Sequence, residues 1–234
     1  MILFIKLLLA HLLADFVLQP DPWVEEKQLK KHKSLKLYLH VLLHGLLSMV
    51  IVAELAFWPY AIAIAISHFF IDWAKLTFQK DPSQKSWFFI DQLLHLSLLF
   101  LIDLFYSDTS IDLSLFTTDK WLWMVTAIVF LSLPASVLIR ILISGWTPKT
   151  EDTKKDSLQN AGKYIGILER LFILVFILTD HWEGIGFLLA AKSIFRFGDL
   201  KESKERKLTE YVMIGTLLSF GLAVLIGILV NQAY

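Results

Sequence analysis

Eight apolar segments constrain the fold of this chain, because each approaches the length that crosses a lipid bilayer as a helix. The chain is 56% hydrophobic, which is too apolar for an ordinary soluble domain. The sequence therefore predicts an all-α fold, a polytopic transmembrane helical bundle of about eight helices. The predicted spans are 1–19, 36–57, 59–79, 87–106, 120–144, 161–180, 182–198 and 208–231.

The first four spans contain an internal repeat of helical hairpins. His11 and Asp15 in the first span recur as His68 and Asp72 in the third. The second and fourth spans carry pairs of their own at corresponding points of each hairpin, which predicts a parallel repeat about a pseudo-two-fold axis. The predicted parts are a four-helix repeat, 1–106, and a four-helix second half, 107–234, joined in one integrated membrane domain.

Basic residues are concentrated in the loops on one face of the predicted bundle. With eight spans, the loops after the odd-numbered spans all lie on this face, and the opposite loops are richer in acidic residues. Because lysine and arginine accumulate on the cytoplasmic side of membrane proteins, we expect this face to be cytoplasmic and both termini to lie outside. In the first half the basic residues of this face are Lys27, Lys30, Lys31, Lys33, Lys36, Lys75, Lys80 and Lys85.

Each of the first four spans carries two ionisable residues at positions i and i+4. This spacing places both side chains on one face of a helix. The predicted direction of each span brings all four pairs to one level, in the cytoplasmic half of the membrane. The pairs are His11 and Asp15, His40 and His44, His68 and Asp72, and Asp91 and His95.

The pairs predict a metal site with one or two divalent ions and all eight side chains as candidate ligands. An ionisable group at the centre of a membrane helix costs roughly 2.5–3.5 kcal/mol, so eight of them require mutual pairing or a metal. Imidazole and carboxylate ligands favour zinc, with manganese or iron as alternatives. The chain has no cysteine, which excludes thiolate ligands. A metal-free polar network or a proton path is the alternative hypothesis.

Basic residues in the second half form a candidate anion site. Lys192 and Arg196 share one helix face, and Arg170 lies on the preceding span at a similar depth. Such groups can bind a phosphate or a carboxylate. The alternative is internal ion pairing of these residues with Glu169 or Glu210.

Several segments resemble a bacterial inner-membrane family catalogued as domain of unknown function number 3307. The resemblance covers nearly the whole chain and implies a prokaryotic membrane protein. The histidine–aspartate pairs are also similar in kind to those of membrane-bound metal-dependent hydrolases and to the HxxxD pairs of cation diffusion facilitators. The segments are HLLADFVLQP, HFFID, DQLLH, YIGILER, WEGIGFLLAAKSIFRFGDLK and EYVMIGTLLSFG.

Three functions are compatible with this pattern. The first is a metal-dependent hydrolase at the cytoplasmic leaflet that acts on an amphiphilic, phosphate-bearing or otherwise anionic substrate, with Asp72 or Asp91 as general base. The second is transport of a divalent metal ion, and the third is a structural role for the metal or polar network. Membrane lipids are the expected partners, and no nucleic-acid partner is expected.

Overall fold

The computed structural model describes residues 2–80, 83–107, 120–147, 161–197 and 203–232, without the side chains of 107, 195–197 and 203–206. These residues form ten α-helices, and no strand occurs among them. The predicted all-α fold is therefore confirmed. The chain forms two compact units, Met1–Thr126 and Ala127–Tyr234, whose boundary lies inside the sixth helix. The predicted parts 1–106 and 107–234 stay a sequence-based division.

The first unit contains five helices before that boundary. A π-helical turn, Leu13–Val17, continues the first of them, and short 3-10 turns at Lys31–Lys33 and Leu55–Phe57 precede the third and fourth. The helices are α1 (Ile2–Leu12), α2 (Asp21–Lys30), α3 (Leu35–Val52), α4 (Trp58–Phe78) and α5 (Gln84–Ser107).

Local sequence signals explain where these helices begin and end. The hydroxyl of Ser34 accepts a hydrogen bond from the Lys36 backbone N–H and caps α3, as serine commonly does at a helix start. Ala53 adopts a left-handed conformation with φ 60° and ends α3. Pro59 occupies the first turn of α4, where its missing N–H costs no helical hydrogen bond.

The chain turns sharply between α1 and α2. In the π-turn the backbone N–H of Leu18 donates to the carbonyl of Leu13 at 2.8 Å, a wider loop than an α-helix makes. Pro20 then precedes α2, which runs at 82° to α1. Residues predicted as a loop between the first two spans thus form a short helix across the end of the unit.

Helices α1, α3, α4 and α5 pack together, and α3 with α4 makes the most extensive contact. Gly45 of α3 lies against Ala61 and Ala65 of α4, where an added Cβ would stand 3.4 Å from the Ala61 carbonyl oxygen. This close approach brings the facing side chains of the two helices together. One end of the unit has an apolar core made of Leu7, Val52, Phe57, Ala61, Ile64, Leu99 and Ile102.

The second unit contains the second part of the sixth helix, which forms a bent pair with the next helix, and four helices after it. The pair bends by 43° after Leu131, before Pro134. The apolar core of the second unit lies mainly between α8 and α10, with Ile173, Leu174 and Ala223 fully or almost fully buried. The helices are α6 (Lys120–Leu131), α7 (Leu133–Ile143), α8 (Ala161–Leu178), α9 (Trp182–Phe197) and α10 (Ser203–Gln232).

Within the described residues, four helical segments are long and apolar enough to cross a membrane, or up to six if each bent pair forms one span. Helix α8 carries three charged residues, Lys163, Glu169 and Arg170, and α9 has only 16 residues. These two helices correspond to the predicted spans 161–180 and 182–198. The count of eight spans and the internal repeat therefore stay predictions. The four segments are Leu35–Val52, Leu55–Phe78, Gln84–Tyr106 and Lys207–Gln232.

Candidate metal centre

The four predicted pairs meet in one cluster inside the first unit. Helix α1 and its π-turn supply His11 and Asp15, while α3, α4 and α5 supply one pair each. All eight side chains lie beyond the apolar core, toward the end of the unit where α2 runs. Seven are buried, and the side chain of Asp15 is 13% exposed. The structure thus places all eight of these side chains in one layer, and their role as metal ligands stays a prediction.

Five imidazole rings form the centre of the cluster. The rings of His44 and His68 stack with centroids 3.5 Å apart, and those of His68 and His95 stack at 4.0 Å. His40 lies 5.0 Å from His68, and His11 lies 5.2 Å from His95. His68 is therefore the central ring, with neighbours on three other helices.

The π-turn presents Asp15 to this centre. Its Oδ1 atom lies 2.9 Å from His44 Nε2, 3.2 Å from His40 Nε2 and 3.7 Å from His68 Nε2. The Nε2 atoms of His40 and His68 are themselves 3.1 Å apart. One carboxylate oxygen and three imidazole nitrogens thus converge. π-Helical turns inside α-helices are frequent at functional sites.

In each of two sets of side chains, the atoms that could bind a metal all lie within 4.8 Å of one another. Four ligands from imidazole and carboxylate can close a tetrahedral zinc site, whereas three ligands leave a position for water or substrate. His68 belongs to both sets. The four-ligand group is Asp15, His40, His44 and His68, and the three-ligand group is His68, Asp72 and His95.

Two buried atoms near the three-ligand group lack a hydrogen-bond partner among the described residues. They are Oδ1 of Asp91 and Nε2 of His95, which lie 3.6 Å apart. Both residues are 2% exposed. Buried polar atoms are nearly always partnered, so this pair fits a site that takes a further group, and its donor chemistry suits a divalent metal.

The three carboxylates of the cluster also have partners other than imidazoles. In each of them Oδ2 accepts a hydrogen bond from a lysine or glutamine side chain, and in Asp15 and Asp72 the same oxygen also lies within 4 Å of an imidazole nitrogen, 3.6 Å from His11 Nε2 and 3.8 Å from His40 Nε2. Such outer partners orient metal ligands and tune their basicity. The outer contacts are Lys27 Nζ to Asp72 Oδ2 at 2.9 Å, Lys75 Nζ to Asp91 Oδ2 at 2.9 Å, and Gln92 Nε2 to Asp15 Oδ2 at 3.2 Å.

Sequence reasoning missed these outer partners. Gln19 also belongs to them, because its Nε2 lies 2.8 Å from His40 Nδ1. Two signals were available: Gln19 continues the i, i+4 series after Asp15, and Lys75 lies one turn beyond Asp72. No local pattern marks Lys27, since only the turn between α1 and α2 carries it back to the cluster.

Two of the three predicted anion-binding residues have defined contacts within the second unit. Lys192 pairs with Glu169 at 2.6 Å, in line with the ion-pairing alternative. Arg170 is buried and donates to the carbonyls of Leu131 and Ser132 at the bend between α6 and α7, and to the hydroxyls of Ser136 in α7 and Ser219 in α10. The side chain of Arg196 lies outside the described residues. An anion-binding role for Lys192, Arg196 and Arg170 stays a prediction.

Comparison with curated proteins and with solved structures gives no match. A family match covers the segment that builds the histidine–aspartate cluster, from residue 3 to residue 125. This segment is more than half of the chain and includes all eight predicted ligands. The chain belongs to the family described as "Protein of unknown function (DUF3307)".

Proposed function

We propose that the first unit holds a divalent metal centre that hydrolyses an amphiphilic substrate at one leaflet of a membrane. The observation that carries this proposal is the convergence of five imidazoles and three carboxylates in one buried layer. Zinc suits these ligands best, with manganese or iron as alternatives. The bound metal would supply Lewis-acid activation of water and of the scissile group.

The protein's own residues divide into ligands and a candidate base. Asp72 belongs to the three-ligand group, whereas Asp91 lies outside both groups and has one buried oxygen directed at His95. A carboxylate that is near the metal but is not needed as a ligand can accept a proton from water. We therefore assign Asp72 to metal binding and Asp91 to general-base catalysis.

Access to the cluster from one end of the unit favours hydrolysis over transport of an ion. The apolar core of Leu7, Val52, Phe57 and their neighbours fills the unit on one side of the cluster. On the other side Lys75 is 27% exposed and Asp15 is 13% exposed. An ion in transit needs polar ligands on both sides of its site, whereas a hydrolase needs only one approach.

Transport of a divalent ion is the second candidate function. The observation in its favour is that His68 is shared by the four-ligand and three-ligand groups. A shared ligand lets an ion move from one group to the other without leaving the protein.

For localisation we propose the bacterial inner membrane, with both termini outside and α2 at the cytoplasmic surface. Helix α2 carries Lys27 and Lys30, and Lys31 and Lys33 follow it. Its angle of 82° to α1 suits a helix that lies along a membrane surface when α1 crosses the membrane. The lysine content favours the cytoplasmic side.

Reporter fusions check this topology. A fusion after Lys30 is expected to be active as a cytoplasmic reporter, and a fusion after Glu54, between α3 and α4, as an external one. The physical reason is the retention of lysine-rich segments in the cytoplasm. A cytoplasmic signal after Glu54 would contradict the proposed orientation.

Zinc loading and turnover test the proposed function together. The purified chain is stripped with chelator, titrated with Zn²⁺, and assayed with p-nitrophenyl dodecyl phosphate, an amphiphilic ester that releases a coloured product. We expect zinc binding and zinc-dependent hydrolysis, both lost in Asp72→Asn and both kept in Asp103→Asn. Asp103 is a matched control because it is a buried aspartate of α5 outside both ligand groups.

The alternatives give different results in the same preparation. Zinc flux into proteoliposomes that Asp72→Asn stops, without ester hydrolysis, would establish transport instead. Tight zinc binding with neither hydrolysis nor flux would leave a structural role. An absence of zinc, manganese and iron binding would contradict the metal centre itself.

A further inference from the structure

Two lysines approach the cluster from outside the imidazole layer. Lys27 comes from α2 and is 6% exposed, and its Nζ lies 2.9 Å from Asp72 Oδ2. Lys75 extends from α4, one turn beyond Asp72, and its Nζ lies 2.9 Å from Asp91 Oδ2. An ammonium group has three N–H donors, and each of these contacts uses one of them.

The charge of the cluster changes sign when a metal binds. The three carboxylates and the two ammonium groups leave one negative charge, since histidines that bind a metal are neutral. One divalent cation converts this to one positive charge, and a second cation raises it to three. Uncompensated charge is costly in a buried site, so the metal-loaded cluster requires an anion.

From this charge excess we infer that Lys27 and Lys75, together with the metal, form a binding site for a phosphate-type oxyanion. This inference rests on the proposed metal centre and names the chemical class of its substrate. A tetrahedral oxyanion has several oxygens, so one can reach the metal while another accepts from an ammonium group. Lysine binds phosphate in this way as a point charge.

The position of the lysines also indicates where the anion enters. Lys75 is partly exposed, and Lys27 belongs to the short helix that crosses the end of the unit. Both lie on the side away from the apolar core. The phosphate group therefore arrives from the membrane surface, either on a lipid headgroup or as a free phosphate.

Calorimetry with the whole chain in nanodiscs tests the site, with Zn²⁺ and inorganic phosphate as probes. In phosphatidylcholine nanodiscs we expect phosphate to bind at least about tenfold more tightly after zinc loading. Lys27→Met and Lys75→Met are each expected to weaken phosphate binding at least about tenfold while zinc stoichiometry is unchanged. Lys30→Met is the matched control, because Lys30 lies on the same helix, is exposed and pairs with Glu26.

A charge-conserving variant keeps the test decisive if Lys27→Met disturbs Asp72. Lys27→Arg retains a cation beside the carboxylate and is expected to bind zinc and phosphate within about threefold of the unaltered protein. Added phosphatidic acid that displaces phosphate from the unaltered protein would identify a lipid headgroup as the source. Phosphate binding that phosphatidic acid does not disturb would identify a soluble phosphate compound.

Two results would overturn the inference, and they are distinguishable. Zinc binding with a phosphate affinity that neither lysine substitution changes would reject the oxyanion site and leave the metal centre intact. Absence of zinc binding would remove the charge excess and reject the metal centre and the oxyanion site together.

Discussion

Replacing His68 with alanine is expected to abolish stoichiometric zinc binding by the purified chain. His68 is the one residue shared by the four-ligand and three-ligand groups, so its loss removes a ligand wherever an ion binds. The loss of affinity should exceed the roughly 10- to 100-fold effect of removing an outer partner of a ligand. Isothermal titration calorimetry with Zn²⁺ measures this change directly.

Substitutions with different expected effects on zinc binding distinguish the loss of a ligand from the loss of the fold. His32→Ala is the control, because His32 is exposed and lies outside the cluster. His95→Ala removes a member of the three-ligand group alone, so an ion in the four-ligand group should survive. Circular dichroism and gel filtration verify that each variant is folded. Wild-type zinc affinity in folded His68→Ala would show that His68 is not a ligand.

Much of the first unit was predictable because helices that could cross a membrane need long apolar segments. Long apolar segments predict helices, and the lengths of α3, α4 and α5 follow from them. Helix α2 was not predictable in this way, since it is short and polar and its place depends on the turn after α1. The bend between α6 and α7 has a local signal in Pro134, yet one long segment, 120–144, was predicted there.

The layer of candidate ligands was also predictable, because i, i+4 spacing and depth are both encoded locally. His11, His44 and His95 lie where these two rules place them. The π-turn at Asp15 departs from a regular helix, so regular spacing alone does not explain how its carboxylate reaches His44. Turns of this kind depend on tertiary contacts rather than on residue spacing.

The outer partners depend on contacts between distant parts of the sequence. Lys27 and Asp72 are 45 residues apart, and Gln92 and Asp15 are 77 residues apart. Charge patterning assigned Lys27 to a basic loop on the cytoplasmic face, where lysine accumulates in membrane proteins. Only the packing of α2 across the end of the unit gives this lysine a different role.

Replacing Asp91 with asparagine is expected to lower kcat for p-nitrophenyl dodecyl phosphate by roughly 10²- to 10⁴-fold, the usual contribution of a general base. Asparagine keeps the shape of the side chain but cannot accept the proton from water. Asp91 lies outside both ligand groups, so zinc stoichiometry should be unchanged, and KM should change little. Steady-state kinetics on the zinc-loaded chain, with metal analysis of the same samples, measures these quantities.

The control for Asp91→Asn must share its helix and its burial but lie outside the histidine–aspartate cluster. Asp103→Asn meets this requirement, since Asp103 is a buried aspartate of α5 that lies toward the apolar end of the unit. It should leave kcat within about threefold of the unaltered protein, because Asp103 lies about 18 Å from Asp91 along the helix and so does not reach the reacting atoms. If Asp91→Asn loses its zinc, Asp91 is a ligand rather than the base. If Asp91→Asn keeps both its zinc and its full kcat, the base is a different residue, and the unpartnered oxygen of Asp91 has no part in the hydrolysis.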